Sequence, residues 1–185
     1  MSFNPKKQLK QFLAEDIGKG DITSELLSKK KISVKIISRE NAIIAGTKYA
    51  KEIFAIKGCK TKIITKDGSK IKPNQKIMEI TGNAGKILTC ERTALNIITR
   101  MSGIATQTNQ LVKKIPTKTK LYATRKTAPG LRYFDKEAVE IGGGKKHRLR
   151  LDEMVMIKDN HIGVEQSLLV LIKKTKKKYK KFEVE

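Results

Sequence analysis

Three apolar segments in the later part of this sequence each run into charge. Residues 121–124 lead into Arg125-Lys126, residues 154–157 into Lys158-Asp159, and residues 182–184 into Glu185. From Lys126 to Lys158 to Glu185 the intervals are 32 and 27 residues, close to the ~30 residues of one strand–helix–strand unit. Between the first two segments stands Gly142-Gly143-Gly144-Lys145-Lys146-His147-Arg148. In a parallel α/β barrel the carboxyl ends of the strands share one face, and the active site sits there. One mouth is therefore expected to collect Arg125, Lys126, His147, Arg148 and Lys158. So many cations repel one another unless an anion joins them. Arginine suits planar, bidentate carboxylate recognition and lysine serves as a point charge. The expected ligand is a small polycarboxylate or a phosphorylated molecule, with the glycines letting backbone approach it closely.

These residues need a scaffold, and the composition bounds it. At 185 residues the chain makes one domain or two small ones, and 38% hydrophobic residues can fill a core. No apolar run approaches the ~18–20 residues of a membrane span, and residues 1–16 turn acidic before a signal-like apolar stretch develops. Cys59 and Cys90 are too few and too far apart for a disulfide framework or a CxxC metal site. The net charge of +23 comes from 34 lysines and only seven arginines, many lysines being scattered singly. That pattern reads as a solvated surface, and no aromatic-and-basic stretch resembles an RNA-binding strand. Nucleic acid is therefore not the expected partner. Gly18-Lys19-Gly20-Asp21 is too short and poorly placed for a phosphate loop, and no Ser/His/Asp or Cys/His set stands out. The expectation is a cytoplasmic globular protein without a membrane partner.

Hydrophobic rhythm divides the chain in two. Residues 5–16 read as a helix ended by Gly18 and Gly20, with Asp21 or Thr23 capping a short turn. Residues 31–38 alternate as a strand, with residues 41–46 as its expected neighbour, and residues 47–56 form a helix. Residues 61–65, Asp67-Gly68 and residues 75–80 read as strand, turn and strand, with Pro73 at the edge. A long helix is expected over 88–115, with Ala94, Ile98, Met101, Ala105 and Val112 on one arc and Arg92 opposite. Beyond Pro116 the rhythm becomes strand (121–124), helix (133–140), strand (154–157), helix (163–179) and strand (182–185). The expected fold is α/β: a small N-terminal α+β sandwich domain over residues 1–88, then an incomplete parallel α/β barrel over 89–185.

Several ordered motifs together resemble the quinolinate phosphoribosyltransferase family. They are Phe12-Leu-Ala-Glu-Asp-Ile-Gly-Lys-Gly-Asp-Ile-Thr-Ser, Glu91-Arg-Thr-Ala-Leu-Asn, Ser102-Gly-Ile-Ala-Thr, Thr124-Arg-Lys-Thr-Ala-Pro-Gly-Leu-Arg, Ala138-Val-Glu-Ile-Gly-Gly-Gly-Lys-Lys-His-Arg and Met154-Val-Met-Ile-Lys-Asp-Asn-His-Ile. The resemblance spans essentially the whole chain, and the ModD-like proteins linked to molybdenum transport share much of the same frame with a different substrate.

The resemblance implies an enzyme that transfers a phosphoribosyl group from phosphoribosyl pyrophosphate to quinolinate. Loss of CO₂ then gives nicotinate mononucleotide and pyrophosphate, a step of NAD biosynthesis. It assigns Thr124, Arg125, Lys126, His147, Arg148 and Lys158 to substrate binding, and Lys126, Lys158 and Glu185 to catalysis. Arg92 would cross to the partner's site in a homodimer. Glu185 would belong to an acidic pair serving Mg²⁺ and pyrophosphate, and Lys146 would add charge without a dedicated role. Two such anions share a cleft only with positive charge to offset their repulsion, so the protein's part is mostly positioning and electrostatic stabilisation. The family also continues through further barrel strands beyond the position of Glu185. A fragment, a second chain completing the barrel, or an inactive remnant is expected on that ground, with exposed apolar faces wherever the sheet is left uncovered.

Overall fold

The computed structural model describes residues 3–27 and 29–185. They form two compact units, 1–146 and 147–185.

The first unit begins with α1 (Pro5–Ile17), whose first turn is capped by Asn4 Oδ1 accepting from Lys7 N. Gly18, at φ 56°, ends it, as its lack of a Cβ allows. A 3₁₀ turn (Ser24–Leu26) follows, with Asp21 Oδ1 accepting from Ser24 N at 3.0 Å. Of the two expected caps, Asp21 is the one that forms, and these bonds with that from Thr89 hold its carboxyl below the usual range. Strands β1 (Lys31–Ile37), β2 (Ala42–Ile43), helix α2 (Thr47–Ile56), β3 (Lys60–Ile63), β4 (Lys70–Ile71) and β5 (Lys76–Asn83) complete the sheet region. β1, β5 and β3 make an antiparallel sheet with β5 central, Lys31 opposite Asn83 and Lys60 opposite Thr81. The expected pairing of residues 41–46 with the first strand is not found: β2 pairs instead with β4. The reason lies in α3, where Thr106 Oγ1 accepts from Ile43 N and Ser102 Oγ accepts from Ala45 N, drawing this segment onto the helix.

Helix α3 (Ala84–Val112) is the long helix expected. Ala94, Met101 and Ala105 of the expected arc are fully buried, Ile98 nearly so, and Val112 only half-buried. The core lies between this arc, α1, α2 and the sheet, with Ile53, Phe54, Met78 and Ile80 almost wholly enclosed. Burial on this scale is the dominant favourable term in folding. The two cysteines sit inside it as free thiols. Burial pushes the Cys90 thiol up to about 12 and raises Cys59 as well, Lys86 opposing the latter. At pH 8 only about one Cys90 in ten thousand is then a thiolate. Native protein should resist iodoacetamide at pH 8 while urea-unfolded protein labels within minutes, as mass spectrometry of quenched samples would register. Rapid native labelling of Cys90 would contradict this burial.

Past α3, the expected strand 121–124 contributes a single parallel bridge, Tyr122 to Lys145, with Ala123 N donating to Lys145 O and Lys145 N to Leu121 O. Its partner is the segment after the three glycines, which carries no strand rhythm of its own. Helix α4 (Arg132–Ile141) joins the two and packs on α3. Gly142 and Gly144 are required by close packing at this junction. A Cβ on Gly142 would lie 2.5 Å from Ala105 O of α3, and one on Gly144 would lie 2.6 Å from Val139.

The second unit holds one more parallel bridge, Val155 to Val184, with Val155 N donating to Glu183 O and Glu185 N to Val155 O. The single helix expected over 163–179 is two: α5 (Asp159–Glu165) and α6 (Leu168–Lys178). Gln166 takes a left-handed conformation at φ 57° and Ser167 Oγ caps α6. Ser167 Oγ, accepting from Val170 N, gives the second helix a start of its own, and Val164 near the end of α5 is exposed. Leu151, Leu169 and Phe182 are also exposed.

Candidate active site

Arg92 is placed by what its neighbours bury. Thr89 Oγ1 donates to Asp21 Oδ2 at 2.7 Å and Thr93 Oγ1 to Asp16 Oδ2 at 2.8 Å. The two aspartates of the first motif thus clamp this face of α3 against α1 and the following turn. Arg92 points the other way and is exposed. It borders a cleft of about 800 Å³ between α3 and the sheet, where Val34, Ile77 and Ile98 supply apolar wall and Arg39, Arg92 and Asn96 polar rim.

In the first unit, the turn after Ala123 carries Thr124, Arg125 and Lys126. Thr124 Oγ1 accepts from Lys126 N at 3.1 Å, and Thr127 N donates to Arg125 O. Thr124 and Lys126 are exposed and Arg125 is half-buried. Arg125 Nε is enclosed yet has no hydrogen-bond partner among the described residues. A buried guanidinium N–H left in this way costs desolvation that only an acceptor recovers.

The second unit holds His147, Arg148, Lys158 and Glu185. His147 takes the left-handed region at φ 55°, a conformation that costs a non-glycine residue energy and recurs at functional sites. Its Nε2 lies 2.9 Å from Glu185 Oε2. Arg148 donates from Nη1 to Met154 O at 2.8 Å and from Nη2 to Met156 Sδ at 3.4 Å. Lys158 is exposed at the start of α5, where its N donates to His161 Nδ1 at 3.0 Å. The candidate residues therefore fall in two groups, Thr124, Arg125 and Lys126 with the first unit and His147, Arg148, Lys158 and Glu185 with the second. Lys146, expected to add loose charge, is paired with Glu140 at 2.6 Å, which raises its pKa.

The expected Mg²⁺ site does not fit the residues present. Among the described residues no three His, Cys, Asp or Glu side chains converge on a common point, and Oε2 of the Glu185 carboxylate lies 2.9 Å from His147 Nε2. One carboxylate is too little for a protein-built site for a hard divalent cation.

The charged run Asp135-Lys136-Glu137 carries no motif that sequence reasoning picks out, yet all three are buried. Asp135 accepts a bidentate pair from Arg100 at 2.7 and 2.9 Å, and Glu137 accepts from Lys48 and Tyr49. Burial and Glu137 push the Tyr49 hydroxyl well above its ordinary pKa. Only the apolar positions Phe134, Ala138 and Ile141 at helical spacing hint that this helix face turns inward.

Comparison with known proteins matches this chain to two family models described as quinolinate phosphoribosyl transferase domains. The family model described as quinolinate phosphoribosyl transferase, N-terminal domain, matches residues 21–102, and that for the C-terminal domain matches residues 104–185. The chain is similar to a probable nicotinate-nucleotide pyrophosphorylase [carboxylating] of Archaeoglobus fulgidus, at 41% identity over 90% of this chain and 65% of that protein. A Bacillus subtilis protein of the same name is 39% identical over 92% of this chain and 61% of its own length. The nicotinate-nucleotide pyrophosphorylase structure from Ehrlichia chaffeensis superposes with a TM-score of 0.93 at 36% identity, covering all of this chain and 69% of that one. The Francisella tularensis structure gives 0.90 at 39% identity over 97% and 66%. The chain belongs to the quinolinate phosphoribosyltransferase family, and it spans 65% and 61% of the two curated relatives named. The α/β fold expected, a small N-terminal α+β sandwich domain followed by an incomplete parallel α/β barrel, matches the solved structures of the family that cover this chain. Among the described residues no helix is long and apolar enough to cross a membrane.

Proposed function

We propose that this chain binds quinolinate and phosphoribosyl pyrophosphate and takes part in phosphoribosyl transfer with decarboxylation, yielding nicotinate mononucleotide, CO₂ and pyrophosphate. The observation that carries the reading is the enclosed, unpartnered Arg125 Nε, a donor in want of an acceptor such as a ligand carboxylate. Family membership supplies the acceptor's identity, because the relatives carry this activity in their names. In this reading Arg125 and Arg148 grip carboxylates, while Lys126 and Lys158 lie near the charge that changes as the pyridine nitrogen displaces pyrophosphate. Thr124 holds the Arg125 turn and His147, oriented by Glu185, lines the substrate. Arg92 contributes from a partner subunit of a cytoplasmic homodimer, and Mg²⁺ enters only as the counter-ion of the donor's pyrophosphate, not at a site built by this chain's carboxylates.

Calorimetric titration with quinolinate tests the reading. Arg125→Ala should bind about 10- to 100-fold more weakly than the unsubstituted chain, since a hydrogen bond to a charged group contributes about 1.5–3 kcal/mol. Arg125→Lys should recover little, because a point charge does not replace the planar fork. Unchanged affinity in Arg125→Ala would remove Arg125 from the site.

A further inference from the structure

Lys136 lies in the middle of α4 and is wholly buried, at 0% exposure. A buried ammonium is costly unless its protons meet acceptors. Here Nζ donates to Ala123 O at 3.2 Å and to Lys146 O at 2.7 Å. Those two carbonyls stand just beyond the parallel bridge between Tyr122 and Lys145, whose backbone bonds are Ala123 N to Lys145 O and Lys145 N to Leu121 O. The ammonium thus adds a cross-link where the short ladder stops. Ala123 is the residue before Thr124-Arg125-Lys126, and Lys146 the residue before His147-Arg148. Its helical neighbours carry their own compensation, Asp135 with Arg100 and Glu137 with Lys48 and Tyr49. The carbonyls of Ala123 and Lys146 are acceptors through which Lys136 reaches the strand ends.

We propose that Lys136 is a positioning residue whose buried ammonium ties the carbonyls of Ala123 and Lys146 together and so fixes the strand ends from which the two cationic segments start. The inference rests on the reading of those segments as ligand-binding. Its physical basis is that a site must be held within a fraction of an ångström to act, and one two-residue bridge is a weak anchor for two loops. Helix α4, locked to α3 by the glycine contacts, lends its rigidity to the strand ends through this one side chain.

Nuclear magnetic resonance supplies the test. In the unsubstituted chain the Lys136 ammonium should give a resolved signal from slow proton exchange, whereas a signal averaged with water would overturn the proposal. In Lys136→Met, amide exchange at residues 123–126 and 145–147 should rise about tenfold or more while the amides of residues 94–105 in α3 keep their protection. Lys136→Arg, which keeps donors and charge, should restore part of the loss. Strand-end exchange that does not change in Lys136→Met would overturn the proposal. Should Lys136→Met fail to fold, the ammonium signal and strand-end exchange in Lys136→Arg still decide between the two outcomes. Titrating the same proteins with quinolinate separates the two readings. No binding by the unsubstituted chain would defeat the ligand assignment while the exchange data still judge Lys136. Binding that weakens at least about tenfold in Lys136→Met and recovers in Lys136→Arg is the result expected.

Discussion

Phe134→Ala should destabilise the first unit by about 3–5 kcal/mol, the range for removing an enclosed aromatic ring. Phe134 has no exposed surface. Its ring meets Tyr49 edge-on at 4.9 Å and 88°, Tyr133 at 5.7 Å and 86°, Phe3 at 6.1 Å and 80°, and Phe12 at 5.9 Å. Edge-to-face geometry at these separations adds to what burial alone supplies. The surrounding rings come from the N-terminal segment, α1, α2 and α4, so the hole cannot close by moving one side chain. Neighbouring residues 135–137 would lose their support too, which couples this cavity to the buried ion pairs and to Lys136. Urea denaturation followed by circular dichroism is the measurement, with Ile22→Ala as the comparison. Ile22 is 79% exposed, and its truncation should change stability by less than about 0.5 kcal/mol. A Phe134→Ala cost below about 1 kcal/mol would mean that the aromatic cluster repacks around the hole.

What is legible in the sequence, and what is not, follows from the range of the forces involved. The long helix is readable because Ala94, Ile98, Met101 and Ala105 repeat with the helical period, and burial enforces that period directly. The candidate cations are readable because their motifs are contiguous. Strand partners are not: nothing local in residues 41–46 says that Ser102 and Thr106, about sixty positions later, will take their backbone N–H groups. The break at Gln166 is hidden because apolar residues at helical spacing, Val164, Leu168 and Leu171, run across it, while the capping serine acts through one hydrogen bond. The glycine run is ambiguous for a related reason. A glycine that admits a ligand and a glycine that admits a neighbouring helix look alike until the helix is in place. Lys136 escapes notice because a lysine between two acids reads as solvated surface, and only the tertiary fold removes the water.

Arg92→Ala and Lys158→Ala chains should each lose quinolinate binding alone, yet regain it when co-expressed. Arg92 opposes the buried arc of α3, is exposed, and borders the cleft in the first unit, while Lys158 belongs to the second unit. If two copies associate about a twofold axis, each site takes its lysine from one copy and its arginine from the other. A mixed dimer then holds one site with both residues intact and one with neither. Random pairing of equal amounts makes half the dimers mixed, so about a quarter of the unsubstituted binding capacity should return, at unsubstituted affinity. The readout is stoichiometry, which a general gain or loss of stability would not set at that fraction. Should Arg92 serve its own chain instead, every site in the mixture lacks one residue or the other, and binding stays at the level of the single variants.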